Sequence, residues 1–220
     1  MVAATLEASK VTVPETNTSP GQHMVLYGVS WNLYRELREI PENNSRRMTF
    51  DRGVLEIMTL SMLHEVISRL IDRLISVWAE ESETDLLGAG SVTCQRDDLE
   101  RGCEPDKCYY FQNEARMRSR DELDLSADPP PDLVVEVDHA VRSVKKLPIY
   151  AAMGVPELWR WVNDTIVVYH LVDGEYVEKT ESKCLPGFPF ELTVSTIMGR
   201  HDKGEVAFMR GFRKAIQGKS

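Results

Sequence analysis

The chain reads as one α/β domain: a mixed β-sheet core flanked by α-helices, with an extra helix and hairpin at its N-terminal end and further helices at its C-terminal end. Two stretches carry that reading. The first is DPPPDLVVEVDHAVRSVKKLPIYAAMGVPELWRW, from Asp128 to Trp161. Pro129, Pro130 and Pro131 cannot sit inside a helix and give no N–H to a ladder, so they deliver the chain stiffly to a strand start. Leu133, Val134, Val135 and Val137 form the short β-branched run of a buried strand. Val141 to Met153 reads as a helix stopped by Gly154 and Pro156, and Glu157 to Trp161 as the next strand. Strand, helix, strand in that order predicts a parallel crossover. The second stretch is the longest helical periodicity in the sequence. Val66, Ile67, Leu70, Ile71, Leu74, Ile75 and Trp78 recur at three- and four-residue spacing between Leu63 and about Ser82.

The other elements follow in chain order. Met1 to about Gly28 is rich in Thr, Ser, Pro and Gly and reads as a loose arm with at most a short extended piece, so the domain is expected to span residues 29–220. Ser30 is a suitable N-cap for a short amphipathic helix built on Trp31, Leu33, Tyr34 and Leu37. Arg46–Phe50 and Val54–Met58 are two strands about a turn that contains Gly53. Asp85–Leu87 and Ser91–Arg96 read as strands, Asp97–Gly102 as a charged turn, and Lys107–Phe111 as an aromatic strand. Asn113 to Arg120 offers a helical turn or two. Thr165–Leu171 and Glu175–Lys179 form a hairpin about Asp173-Gly174. After the breakers Pro186, Gly187 and Pro189, Phe190–Met198 and Lys203–Ile216 read as closing helices.

Bulk composition narrows the function classes. With 220 residues, 42% of them hydrophobic, the chain can bury one full core. No apolar run approaches a membrane span and no basic-then-apolar leader opens the chain, so a soluble cytoplasmic protein is expected, with no membrane partner. Cys94, Cys103, Cys108 and Cys184 form no CxxC and lack flanking histidine pairs, which argues against a zinc site. The net charge of −9 argues against broad electrostatic adhesion to nucleic acid, though not against a local basic groove.

Against that background three acids stand out. Glu65 lies at a helix start, Asp106 follows a proline at a strand start, and Glu136 is embedded in a buried strand. A carboxylate inside such a strand needs a cation, a lysine or a set of donors. Two acids on adjacent strands repel unless a cation or a shared proton relieves them. Lys145 and Lys146 follow on the helix, within reach of the strand. One reading is a divalent-ion site with oxygen ligands. The other is a buried Lys–Glu pair with Asp106 an ordinary turn acid and Glu65 a complement to the helix dipole. Spacing alone weighs the two about evenly.

The segments MTFDRGVLEIMTLSMLHE, GCEPDKCYYFQNEA, PPPDLVVEVD and KLPIYAAMGVPELWRW together resemble the bacterial Uma-two family, in the PD-(D/E)XK nuclease superfamily. The resemblance covers about Trp31 to Leu192, and the order of four motifs makes it more specific than any one acid pair. It implies a restriction-endonuclease-like fold and a restriction-type endonuclease that hydrolyses DNA phosphodiesters with Mg²⁺, or Mn²⁺ in its place. Carried over by motif, Asp106 of Glu-Pro-Asp and Glu136 of Val-Glu-Val become metal ligands. Glu65 becomes the accessory acid on the first core helix, holding a metal-bound water or a second ion. The superfamily lysine should lie two residues after the strand acid, where this chain has Asp138. In the family it looks displaced to the following helix in a KLxxY pattern, which Lys146 to Tyr150 matches, with Lys145 as the fallback. Asp138 would then be a further ligand or a mark of drift, and Asp132 a cap or turn residue. A homodimer is expected for this nuclease type because two active sites suit the cutting of two strands. The rival readings are a non-catalytic interaction or assembly module that keeps the nuclease fold, and a metal-dependent hydrolase of small phosphoesters.

Overall fold

The computed structural model describes residues 23–138 and 144–218. His23–Tyr27 (β1) is a strand, so the end of the stretch read as a loose arm is part of a sheet; the rest of that arm lies outside the described residues. Its missing sequence signal is understandable, since an edge strand of five residues shows little alternation. Trp31–Glu39 (α1) starts at Ser30, whose hydroxyl accepts from the Leu33 N–H at 3.2 Å. Arg47–Asp51 (β2) and Val54–Met58 (β3) form the expected hairpin. Its turn residues Arg52 and Gly53 both have positive φ, 43° and 94°, which suits the twist of the two strands.

Met62–Glu81 (α2) is the long helix, capped by Ser61. Leu87–Gly90 (β4), Cys94–Arg96 (β5), Arg101–Cys103 (β6) and Lys107–Tyr110 (β7) follow, then one helical turn, Glu114–Met117 (α3). The charged turn expected up to Gly102 therefore gives way to a strand at Arg101. Three residues are too few for a periodicity to register. Gly102 is required there: a Cβ would lie 2.3 Å from the Tyr34 hydroxyl of α1.

Leu133–Asp138 (β8), Leu147–Met153 (α4) and Glu157–Val162 (β9) make the strand–helix–strand unit, and β8 pairs with β9 in parallel. The helix is shorter than its sequence suggested. Residues 139–143 lie outside the described residues, and Val144 to Lys146 are not helical. Pro148 accounts for this. Within a continuous helix its ring would clash with the carbonyl four residues back, that of Val144, whereas at the second helical position it is tolerated. Thr165–Val172 (β10) and Glu175–Lys179 (β11) form the C-terminal hairpin, and Phe190–Met198 (α5) and Glu205–Gln217 (α6) close the chain.

The strands form two sheets, ordered β1-β3-β2-β6-β5 and β11-β10-β9-β8-β7-β4. In the larger sheet, Leu133, Val135 and Val137 of β8 and Trp159 and Trp161 of β9 pack on α2, α5 and α6. On its other face, Val134 and Leu158 pack with Ile149, Tyr150 and Met153 of α4 and with Cys94, Cys103 and Cys108. The smaller sheet carries α1 through Trp31, Tyr34, Met48, Phe50 and Leu55. Among the described residues no helix is long and apolar enough to cross a membrane.

Candidate active site

The site forms where the chain passes from the smaller sheet to the larger one. β6 ends at Cys103, Glu104 and Pro105 follow, and Asp106 stands at the mouth of β7. In the antiparallel register of β7 and β8, Cys108 faces Val134 and Lys107 faces Val135. One further step sets Asp106 opposite Glu136. Alternation along β8 turns Val134, and with it Glu136 and Asp138, toward the α4 side. Asp106 and Glu136 are only 3% and 2% exposed, so both charges need partners.

Glu136 finds its partners at the start of α4 and on it. The Lys146 ammonium lies 2.9 Å from each of its carboxylate oxygens, and the Tyr150 hydroxyl donates to Oε1. Lys146 also donates to the main-chain carbonyl of Glu104 at 2.7 Å. These contacts engage the three N–H groups of the ammonium. Burial first, then the nearby Cys103 and Glu136, push the Tyr150 phenol well above its ordinary range, so it stays a donor. Lys146 and Tyr150 are one turn apart, and the main-chain N–H of Tyr150 bonds the Lys146 carbonyl at 3.0 Å. Both side chains therefore reach the same carboxylate from one helix start. Lys145 is exposed and Lys146 buried, so only one of the two candidate lysines faces the strand.

Asp106 is oriented from two sides. Its Oδ2 accepts from the Val137 N–H at 2.7 Å and lies 3.0 Å from Nε2 of His64, on the first turn of α2. Glu65, the neighbour of that histidine, is exposed. The structure thus joins Lys146 to Glu136, ties Asp106 to the N–H of the next residue of β8, and places His64, not Glu65, against Asp106. The hydrophobic period of α2 carried this information: His64 is three and seven residues before the buried Ile67 and Ile71, whereas Glu65 precedes the exposed Arg69 by four.

Two other acids of the motifs have partners of their own. Asp138, in the position where the superfamily pattern has lysine, is bonded by Arg160 of the parallel neighbour β9, with Nε to Oδ2 at 2.8 Å. Asp132 accepts from the N–H groups of Phe111 and Asn113 at 2.7 and 3.0 Å and from the Asn113 amide at 2.7 Å, closing the turn after β7. Glu104 had no place in the reading of the sequence. Its carboxylate is buried and bound by Arg38 of α1, by the Thr93 hydroxyl at 3.4 Å and by the Met48 N–H at 3.3 Å. Its partners lie 66, 11 and 56 residues away, which no local pattern could disclose.

Could this arrangement hold a divalent ion? Among the described residues no group of three or more His, Cys, Asp and Glu side chains is placed to do so. A hard cation needs fewer from the protein, commonly one or two carboxylates with water completing its shell. The two carboxylates at hand are Asp106, bonded to the Val137 N–H, and Glu136, the residue before Val137 in β8. Glu136 already faces a cation, the Lys146 ammonium, across 2.9 Å. The donor chemistry fits a small oxygen-seeking metal.

A crystal structure titled as that of "a putative nuclease belonging to DUF820 from Anabaena variabilis ATCC 29413" is similar over 70% of this chain and 85% of that one, at 14% identity and a TM-score of 0.49. No curated protein matches the chain. The model of the Uma2 family, described as "Putative restriction endonuclease", matches residues 31–195, which include both acid-bearing strands, α2 and α4. With the greater part of its length so matched, this chain belongs to the Uma2 family.

Proposed function

We propose that the protein is a Mg²⁺-dependent endonuclease, with Mn²⁺ as the alternative ion, that hydrolyses DNA phosphodiester bonds at Asp106, Glu136 and Lys146. The observation that carries this reading is the buried Glu136 held by the Lys146 ammonium, with the buried Asp106 bonded to the next main-chain N–H of the same strand. Asp106 and Glu136 would hold the ion, whose chemistry when bound is to polarise the phosphate and lower the pKa of a water. The Val137 N–H and His64 fix the Asp106 carboxylate, and Tyr150 fixes that of Glu136. Lys146 cannot ligate a cation, because an ammonium has no lone pair. Turning one of its N–H groups from Glu136 to a phosphate oxygen would put positive charge where negative charge develops in the transition state. Glu65, exposed on α2, is left out of this ligand set.

A second reading has an observation of its own. Every N–H of Lys146 is already satisfied within the chain, as in a structural ion pair of a non-catalytic assembly module. Thermal denaturation with and without Mg²⁺, beside plasmid nicking, separates the two. Wild type should gain stability with Mg²⁺ and nick plasmid. Asp106→Asn and Glu136→Gln should lose both effects, and Lys146→Ala should keep the Mg²⁺ shift but lose nicking. A wild type that gains no stability from either ion and cuts no nucleic acid would leave the assembly reading. Preference for a chromogenic phosphodiester over plasmid would redirect the activity to small phosphoesters.

A further inference from the structure

The Lys146 ammonium is held at three points, and one of them is not an acid. Two N–H groups meet Glu136 and the third meets the carbonyl oxygen of Glu104 at 2.7 Å. If Glu136 turns to another cation, this carbonyl is the contact that keeps Lys146 in place. A lone carbonyl between two strands would be free to tilt. This one is not, because the side chain of the same residue is anchored on three other elements.

Glu104 is 3% exposed. Its Oε1 pairs with Arg38 of α1 and accepts from Thr93, between β4 and β5, while Oε2 accepts from the Met48 N–H of β2. Arg38 is itself tied to Thr93, its guanidinium donating to the hydroxyl at 3.0 Å. Pro105 follows with a fixed φ, and Asp106 comes next. The carboxylate of Glu104 thus faces the smaller sheet while its carbonyl faces the candidate site. Its acidity is spent on Arg38 and it is not aimed at Asp106.

We infer that Glu104 is a positioning residue: clamped by Arg38, Thr93 and the Met48 N–H, it aims its own main-chain carbonyl at Lys146 and so sets where that ammonium stands relative to Glu136. The inference rests on the nuclease reading for its effect on rate, but the placement of Lys146 can be read without any reaction. A small displacement of a group near the chemistry costs rate far more than it costs binding.

The test uses the full chain with ¹⁵N-labelled lysine side chains, followed by NMR in metal-free buffer. An ammonium whose three N–H groups are held and shielded exchanges slowly with water and gives a resolved signal, which Lys146→Met assigns by removing it. Glu104→Ala should broaden that signal and, in plasmid nicking, lower kcat by roughly 10- to 100-fold with KM unchanged. Because Glu104→Ala leaves Arg38 without its carboxylate, a second variant carries the test if the first fails to fold. Arg38→Met with Glu104→Met replaces the buried pair by apolar side chains, an exchange that commonly preserves stability. It should show the same broadening and the same fall in kcat at near wild-type Tm. Glu104→Gln keeps a single acceptor oxygen and sets its amide nitrogen against either Arg38 or the Met48 N–H, so it should fall between wild type and Glu104→Ala in both readouts. A Lys146 signal and a kcat that stay as in wild type in the double variant would overturn the inference and leave the nuclease reading intact. A signal lost on Glu104 substitution, in a protein whose wild type cuts nothing, would support the placement and overturn the nuclease reading instead.

Discussion

Replacing Lys146 with methionine probes the centre of the site most directly. Methionine nearly matches the lysine stem in length, so little packing is lost, but the Glu136 carboxylate, 2% exposed, loses its cation. Tyr150 alone among the α4 donors would still face it. Breaking one side of a buried pair costs about 3–5 kcal/mol, mostly as the penalty of the stranded charge. In a domain of this size each kcal/mol moves Tm by about 2–4 °C. The metal-free variant should therefore melt about 6–20 °C below wild type. Adding Mg²⁺ should act in the opposite direction and more strongly than in wild type, because Lys146 no longer competes for Glu136. At a hundredfold excess over Kd the recovery would be about 2.7 kcal/mol, half or more of the loss. Differential scanning calorimetry in chelator and in Mg²⁺ measures both. Lys146→Met with Glu136→Leu completes the cycle and should recover most of the loss without metal, since removing both charges is often neutral. A metal-free Tm for Lys146→Met within about 2 °C of wild type, under 1 kcal/mol on the same scale, would refute the buried pair. A Mg²⁺ recovery no larger than that of wild type would refute the shared use of Glu136.

His64→Ala should weaken the Mg²⁺-induced rise in Tm because it loosens Asp106, whereas Glu65→Ala should leave that rise unchanged; the reverse result would return Glu65 to the site. Lys145→Ala should change stability by no more than about 0.5 kcal/mol and leave nicking intact, as expected of an exposed side chain; loss of nicking would shift the functional lysine by one residue. Gly102→Ala should cost about 1–3 kcal/mol in urea denaturation, since its methyl meets the Tyr34 ring and hydroxyl; unchanged stability would mean that α1 can move aside. The buried thiols of Cys103 and Cys108 are each pushed up to about 12, chiefly by burial. Their folded pKa values lie above the unfolded ones, so their contribution is complete below about pH 9 and declines toward pH 12, at up to about 1.4 kcal/mol per pH unit for each group. Cys103→Ala should flatten that alkaline fall in Tm by one group's share, and an unaltered slope would count against the burial argument.

Much of the architecture was legible because the strongest signals are local. Proline and glycine marked the ends of α5, the Asp173-Gly174 turn and the entry to β8, and the 3.6-residue period marked α2. Asp106, Glu136 and Lys146 could be singled out because an acid in an apolar strand and a lysine in the motif after it are visible in one dimension. What was not legible depends on distance or on single turns. β1 and β6 are too short for alternation to register, and their pairing is long-range. The apolar pattern from Val141 onward does not reveal where α4 starts, because the start is set by Pro148, whose ring would clash with the Val144 carbonyl in a longer helix. Glu65 and His64 point about 100° apart around one helix, and the apolar face of α2 identifies His64 as the one turned toward Asp106. The anchoring of Glu104 by Arg38 joins α1 to the site across two sheets, and nothing in the local sequence announces it.

The hand-over from β6 to β7 also has a kinetic meaning. Within the four residues from Cys103 to Asp106 the chain leaves one sheet and enters the other, and the carbonyl that receives Lys146 lies in between. Folding of the larger sheet alone could set Asp106 opposite Glu136, but the third contact of Lys146 waits for Glu104 to be locked by Arg38 and Met48 of the smaller one. Closing those contacts means joining residues 56 and more positions apart, which favours late formation. A nascent or partly unfolded chain would therefore carry its acids early and its fully seated lysine last, so that seating of Lys146 coincides with completion of the fold.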